Sequence, residues 1–275
     1  MSSCSCGNHH HHHLPIEGGQ ELALAQPLIA VEGRLICADM GQMMLALNLL
    51  PDHVAASRAE PGNLRFDLSQ TDDPLIWSLN ELFTDAGAFA AHRDRTAASR
   101  WGQDSGAITR DFHERTIQPR IRPEAAQDQT GIRAVHGRAF GGDAESRLVD
   151  RLRDDGDLTL SLVADANGQT IGHLALSPIT APDAGRPVLA LAPVAVEPRL
   201  HGRGIGAALI RAAIEAVPGH IITVLGDPAY YARFGFRPVG WDSPYAGPAL
   251  QALGDDLPRT LTIRHAPAFD AMDAH

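Results

Sequence analysis

The chain contains no lysine: all 23 of its basic residues are arginine. That absence excludes Schiff-base chemistry and a lysine general base, and it leaves no lysine side chain to become acetylated. Cysteine is also scarce. Three residues, Cys4, Cys6 and Cys37, cannot staple 275 residues, so a reducing compartment, the cytoplasm, is the expectation. No apolar run reaches the length of a membrane span, and the start has no basic stretch followed by an apolar one, so no membrane partner is expected. Positive charge is outweighed, 23 basic residues against 33 acidic ones for a net −10, which argues against nucleic acid as a partner.

A length of 275 residues accommodates two domains, each large enough to bury a core. Ahead of them, Met1–Gln20 is polar, rich in Gly and His and without apolar periodicity, and is expected to be disordered. Within it, CSCGNHHHHH (Cys4–His13) offers thiolates and imidazoles that suit zinc, nickel or copper. A flexible tail or a tag would capture such metal adventitiously, and no metal site is assigned.

Leu28–Ile117 reads as the first unit. PLIAVEGRLICA alternates as a half-buried strand, and Met43, Leu47, Leu50 and Val54 follow at helical spacing, with Pro51 expected to kink or end that helix. Strands are expected over Leu64–Leu68 and Leu75–Phe83, joined by the turn residues TDDP. Thr84 or Asp85 can cap a helix running through His92 and Arg95, and Ile108–Ile117 closes the unit. The order β-α-β-β-α-β is the ferredoxin-like pattern.

The phrases HVAASRAEPGNLRFDLSQTDDP (His53–Pro74) and NELFTDAGAFAAHRDR (Asn80–Arg95) resemble the antibiotic biosynthesis monooxygenase (ABM) family. The resemblance implies a ferredoxin-like domain that pairs sheet to sheet as a homodimer. Some members of that family oxidise quinol-like aromatics without a cofactor, and others degrade heme. His92 matches the helix histidine that binds iron in the heme-degrading members. The first strand, Ile29–Cys37, lacks their Asn, Leu82 stands where many relatives carry Trp, and all three tyrosines (Tyr230, Tyr231, Tyr245) lie C-terminal. Heme degradation is therefore set aside. Cofactorless oxidation through His92, Asn80 or Trp77 remains an alternative to a dimerisation or sensing module.

The second unit, 121–272, carries the sharper pattern. In VLALAPVAVEPRLHGRGIG (Val188–Gly206) a buried strand runs through a Pro turn into a glycine-rich loop and then a helix. Such a loop leaves backbone N–H groups free to face an anion at a helix N-terminus. Neither the P-loop nor the full dinucleotide fingerprint is present. Further on, VLGDPAYYARFGF places Asp227 and Pro228 at a helix start, followed by Tyr231.

Together these strings resemble the GNAT superfamily of N-acetyltransferases, with HGRGIG in the position of its Q/R-x-x-G-x-G/A acetyl-CoA loop and YARFGF in that of its Y-x-x-x-G-F. VHGRAFGGDAESRLVDRLRDDG and IRHAPAFDAM match the helices and C-terminal ending of one bacterial branch. The resemblance implies an α/β acyltransferase domain with a mixed central sheet, behind the ferredoxin-like one in an α+β chain. It also implies acetyl-CoA as co-substrate and direct transfer to an amine of a small molecule or peptide. The expected donor-binding residues are Val194, Ala195 and Val196 on the splayed strand and His201, Gly202, Arg203, Gly204, Ile205 and Gly206 in the loop, with Arg203 a charge partner for the pyrophosphate. Tyr231 takes the place of the acid that protonates the leaving thiolate, and Tyr230 is its backup. Glu197, His173 and Glu145 are candidate bases without a supporting motif. A monooxygenase with a vestigial acetyltransferase unit, or an acyl-CoA- or metal-responsive binding protein, are the competing functions.

Overall fold

The computed structural model describes residues 19–271, and the Cys4–His13 stretch lies outside the described residues. A two-residue strand, β1 (Gln20–Glu21), precedes the first unit. That unit comprises β2 (Leu28–Ile36), α1 (Met40–Arg58), β3 (Asn63–Gln70), β4 (Ile76–Phe83), α2 (Ala86–Ala98), α3 (Arg100–Asp104) and β5 (Thr109–Ile117). The strand order β3-β4-β2-β5, antiparallel throughout, is the ferredoxin-like arrangement that the pattern predicts.

Pro51 neither ends nor splits α1, which runs unbroken for 19 residues. Proline removes the N–H that would bond the carbonyl of Leu47, but both residues are exposed, so water can take that carbonyl. The buried face is Met43, Ala46, Leu49, Leu50, His53 and Ser57, with Leu47 outside it. Asp39 and Asp85 cap α1 and α2 by accepting from Gln42 N–H and Ala88 N–H, each at 2.9 Å.

The second unit holds β6 (Arg120–Pro123), α4 (Gln129–Phe140), α5 (Ala144–Asp154), β7 (Leu160–Ala166), β8 (Gln169–Thr180), β9 (Val188–Val196) and α6 (Ile205–Ala216). It continues through β10 (Ile221–Leu225), α7 (Pro228–Ala232), β11 (Arg237–Pro238), β12 (Leu250–Leu253) and β13 (Arg264–His265). Its sheet runs β1-β6-β7-β8-β9-β10-β12-β11, with β13 beside β8. Only β9 and β10 are parallel, joined by the α6 crossover, so the sheet is mixed. Gln20 and Glu21 pair with Ile121 and Arg120, so the described chain begins in the second sheet, and Gln20 is not part of an unstructured leader.

The two units share a core. Leu28, Ala30 and Leu82 are fully buried in one apolar cluster with Leu200, Ile205 and Leu209 of the second unit. Along β2 the side chains alternate, so Ile29 and Val31 pack with Phe83 and Phe89 beneath α2 while Leu28 and Ala30 face the opposite way. The sheet face that a sheet-to-sheet dimer would use is therefore partly covered within the chain. Each leucine so buried contributes roughly 1.5–3 kcal/mol. Among the described residues, no helix is long and apolar enough to cross a membrane.

Candidate functional site

Two parallel strands part at the centre of the second sheet. β9 pairs with β10 only through Val188, Leu189 and Ala190, whereas on its other side it stays paired with β8 as far as Val196. Glu197 N–H donates to Ile171 O on β8, at 2.8 Å. By strand alternation, Ala195 directs its backbone groups the same way, and Val194 and Val196 direct theirs to the open edge. Val194 and Val196 line a cavity of about 430 Å³.

The glycine-rich loop closes one end of that cavity. Gly202 (φ +78°) and Gly204 (φ +87°) adopt left-handed conformations that side chains rarely accept, and they turn the chain into α6. No side chain caps the helix, and its first internal bond is Ala208 N–H to Gly204 O at 3.0 Å. The N–H groups of Ile205, Gly206 and Ala207 are thus among the free donors at the helix start, where the helix dipole favours an anion. His201, exposed, lines the cavity beside the loop. Its Nε2 lies 3.0 Å from Val196 O, which ties the loop to the strand end.

Tyr231 comes from the far side. Asp227 caps α7 by accepting from Ala229 N–H, and Pro228 starts the helix. The ring of Tyr231 packs edge-on against Phe236 and Tyr230, and both tyrosines line the cavity. Burial, with a smaller contribution from Tyr230, pushes the Tyr231 phenol up to about 12, so it holds its proton at neutral pH. An open strand edge, unpaired backbone donors and a protonated phenol therefore meet in one cavity.

The structure separates Ala195 and Arg203 from this group. Ala195 is buried with its backbone turned to β8, and it does not line the cavity. Arg203 is turned away from the cavity, pairing with Asp85 Oδ2 at 2.8 Å and donating to Thr84 O at 2.6 Å, both in the first unit. The guanidinium satisfies acceptors there, so it does not serve as the expected phosphate partner in this arrangement. None of the three candidate bases lines the cavity. Glu197 is held by Arg138 at 2.6 Å, and Glu145 sits in the first turn of α5. His173 is fully buried between His136 and the Ser161 hydroxyl, each 2.8 Å away. Burial alone would raise the nearby Glu124 carboxyl, but His173, Arg153 and Ser161 bring it down to about 2. Sequence reasoning missed Ala139 and Phe140, at the end of α4, and Arg233, which join the cavity wall. Arg233 stands two residues beyond Tyr231 and lies 4.1 Å over the Tyr230 ring, a proximity the spacing alone could have flagged.

A second cavity, of about 450 Å³, lies in the first unit between its sheet and its helices. His53, Glu81 and His92 are joined in its polar lining by Arg93, Thr96, Arg110 and Glu114, with Leu50, Phe66 and Phe112 among its apolar wall. Glu81 is 3% exposed, and burial, reinforced by Glu60, pushes its carboxyl up to about 8. Burial, with Arg95, lowers His53 to about 4, and burial lowers His92 against the pull of Glu60. His92 Nδ1 donates to Glu60 Oε2 at 2.9 Å, and Arg95 Nε donates to Glu60 Oε1 at 2.5 Å. The 3.8 Å approach of His92 Nε2 to Glu81 Oε1 is therefore one between neutral groups at pH 7. Asn80 and Trp77 do not line this cavity. Asn80 accepts from Arg65 on the opposite sheet face, and Trp77 packs near Leu35.

Two family models match separate parts of the chain. The Acetyltransferase (GNAT) family model matches residues 130–236, and the Antibiotic biosynthesis monooxygenase model matches residues 37–103. The uncharacterized N-acetyltransferase YhbS of Escherichia coli (strain K12) is 42% identical over 121 residues, which are 42% of this chain and 72% of that protein. The chain belongs to the GNAT acetyltransferase family. The uncharacterized N-acetyltransferase YjhQ of the same strain is 38% identical over 128 residues, 44% of this chain and 71% of that one. Among solved structures, the GNAT family N-acetyltransferase YhbS from Escherichia coli in complex with CoA aligns with a TM-score of 0.52 at 31% identity, covering 56% of this chain and 93% of that one. Tyr231 and the 201–206 loop of the acetyltransferase unit fall inside the matched region.

Proposed function

We propose that this chain is an acetyl-CoA-dependent N-acetyltransferase that moves the acetyl group directly to an amine of a small molecule or peptide. The observation that carries the reading is the cavity in which the open edge of β9, the free N–H groups at the start of α6 and the Tyr231 hydroxyl converge. Acetyl-CoA supplies an activated thioester carbonyl. Backbone donors of the Gly202–Ala207 turn fit its pyrophosphate, and the backbone groups of Val194 with the N–H of Val196 fit the amides of its pantetheine arm, the Val196 carbonyl being taken by His201. Tyr231 gives its proton to the departing sulfur, and its high pKa keeps that proton available at any ordinary pH. No ionisable side chain proposed as base stands in the cavity, which favours removal of the amine proton through water.

Calorimetry with acetyl-CoA, followed by thiol release with an amine panel, tests this reading. Saturable binding and turnover support it, and protein that binds no acetyl-CoA refutes it. Tyr231→Phe should lower kcat by about a hundredfold or more while leaving acetyl-CoA affinity near wild type.

A second reading assigns the first unit an activity of its own, oxidation of a quinol-like aromatic by dioxygen without a cofactor. It is favoured by the apolar cavity in which neutral His53 and His92 can accept a phenolic proton and protonated Glu81 can donate one. Oxygen uptake with hydroquinones that never exceeds the buffer background removes it.

A further inference from the structure

The loop that faces the cavity is anchored outside its own unit. Arg203 sits between two left-handed glycines, in a segment with many conformations open to it. Within the second unit His201 Nε2 ties the start of the loop to Val196 O at 3.0 Å, but at Arg203 the backbone makes only a long contact, N–H to Leu200 O at 3.4 Å. Its side chain, by contrast, is fastened to the first unit, with Nη2 2.8 Å from Asp85 Oδ2 and Nη1 2.6 Å from Thr84 O and 3.5 Å from Gln26 O. The neighbouring Arg199 also crosses, donating to Asn63 O. Beneath these contacts lies the shared apolar core of Leu28, Ala30, Leu82 and Ile205, so the anchor stands on a fixed base.

We propose that Asp85 is a positioning residue for the acetyl-CoA loop: by holding Arg203 across the interface it keeps the Gly202–Gly204 turn in the shape that receives the pyrophosphate. The proposal rests on the acetyl-CoA reading above. It gives the first unit a part in the second unit's chemistry. The YhbS structure, 93% of which is spanned by 56% of this chain, has no length left for such a unit, so the clamp belongs to the two-unit arrangement. A loop already ordered before the donor arrives does not lose that freedom on binding, and affinity rises accordingly. Asp85 does not line the cavity. Its removal should therefore move binding and leave the chemical step alone.

Asp85→Asn in the full chain is the test. Asn keeps an oxygen for Ala88 N–H and so preserves the cap of α2, but it gives up the charge that holds Arg203. CoA affinity by calorimetry should weaken about five- to twentyfold, with KM for acetyl-CoA rising in step and kcat within about twofold of wild type. In the ligand-free protein, amide exchange at Gly202–Ala207 should accelerate, while the melting temperature stays close to wild type. Asp85→Ser, which can cap but is too short to reach Arg203, should behave like Asp85→Asn. Unchanged CoA affinity in both variants overturns the proposal. Tighter binding overturns it too, since it would mean that Arg203, once released, binds the phosphate itself. Wild-type protein that binds no CoA overturns the acetyl-CoA reading, and the clamp with it, whereas accelerated loop exchange without weakened binding overturns the clamp alone.

Discussion

Gly226 lies against the ring of Tyr231 so closely that a Cβ added there would stand 2.4 Å from Tyr231 Cε2 and 3.1 Å from Cδ2. The last turn before α7 thus leaves room for the phenol only because it carries no side chain. Gly226→Ala should push the ring away from the cavity. The acid would then be misplaced while the loop at the other end is untouched, so kcat should fall about tenfold or more with CoA affinity within about twofold. Thiol release and calorimetry on the same preparation check both halves. A loss of CoA binding equal to the loss of kcat would contradict this division of labour.

Gly204 should be equally intolerant for a different reason. Its surroundings are open, with nothing near an added Cβ, so space is not the obstacle. Its φ of +87° is, because an alanine there costs roughly 1–2 kcal/mol. The loop can relieve that strain by reshaping, which moves the free N–H groups. Gly204→Ala should therefore weaken CoA binding about tenfold with little change in melting temperature, whereas Gly185→Ala, at a left-handed turn outside the cavity, should leave CoA binding unchanged.

The readable parts of this protein were those in which local sequence sets local geometry. The ferredoxin-like strand order and the glycine loop follow from alternation, turn residues and a helix start, whereas the parting strand was implied by the family resemblance alone, and Tyr231 lines the cavity beside that strand. The misplaced parts depend on orientation along a strand or on contacts between distant elements. Arg203 looks like a phosphate ligand when only its neighbours are considered, yet Asp85 lies 118 positions away and takes it. Ala195 was grouped with Val194 and Val196 because they are consecutive, although alternation along a strand sends it to the other side. The polar lining of the first cavity comes from α1, β4, α2 and β5, so no single stretch of sequence shows that His53, Glu81 and His92 meet.

The pH dependence of turnover should show the absence of an alkaline limb from Tyr231. The unfolded phenol ionises near 10 and the folded one near 12, so the group stays protonated and competent through the assay range. Between those values the folded state holds a proton that the unfolded state has released, and stability falls as pH rises through that window. A kcat profile that drops with an apparent pKa below 9 in wild type, and loses that drop in Tyr231→Phe, would refute the assignment of the high pKa to this residue.

Glu81 offers the clearest stability measurement, because its burial works against its ionisation. Its carboxyl titrates near 4.5 when unfolded and near 8 when folded, so above pH 4.5 the unfolded chain has lost a proton that the folded chain retains. Folding stability contributed at this site is therefore intact at pH 4, declines from pH 4.5 upward and reaches its full loss past pH 8. Glu81→Gln keeps the shape and the hydrogen-bonding capacity of the neutral acid without the option of ionising. The variant should match wild type in urea melts near pH 4.5 and exceed it by roughly 3–5 kcal/mol at pH 9. His53 and His92 titrate in both proteins, so their contribution cancels to first order in the difference between the two curves. A gap that stays constant from pH 4.5 to 9 would show that Glu81 is ionised in the folded protein, and the cavity would then present a carboxylate instead of an acid to whatever enters it.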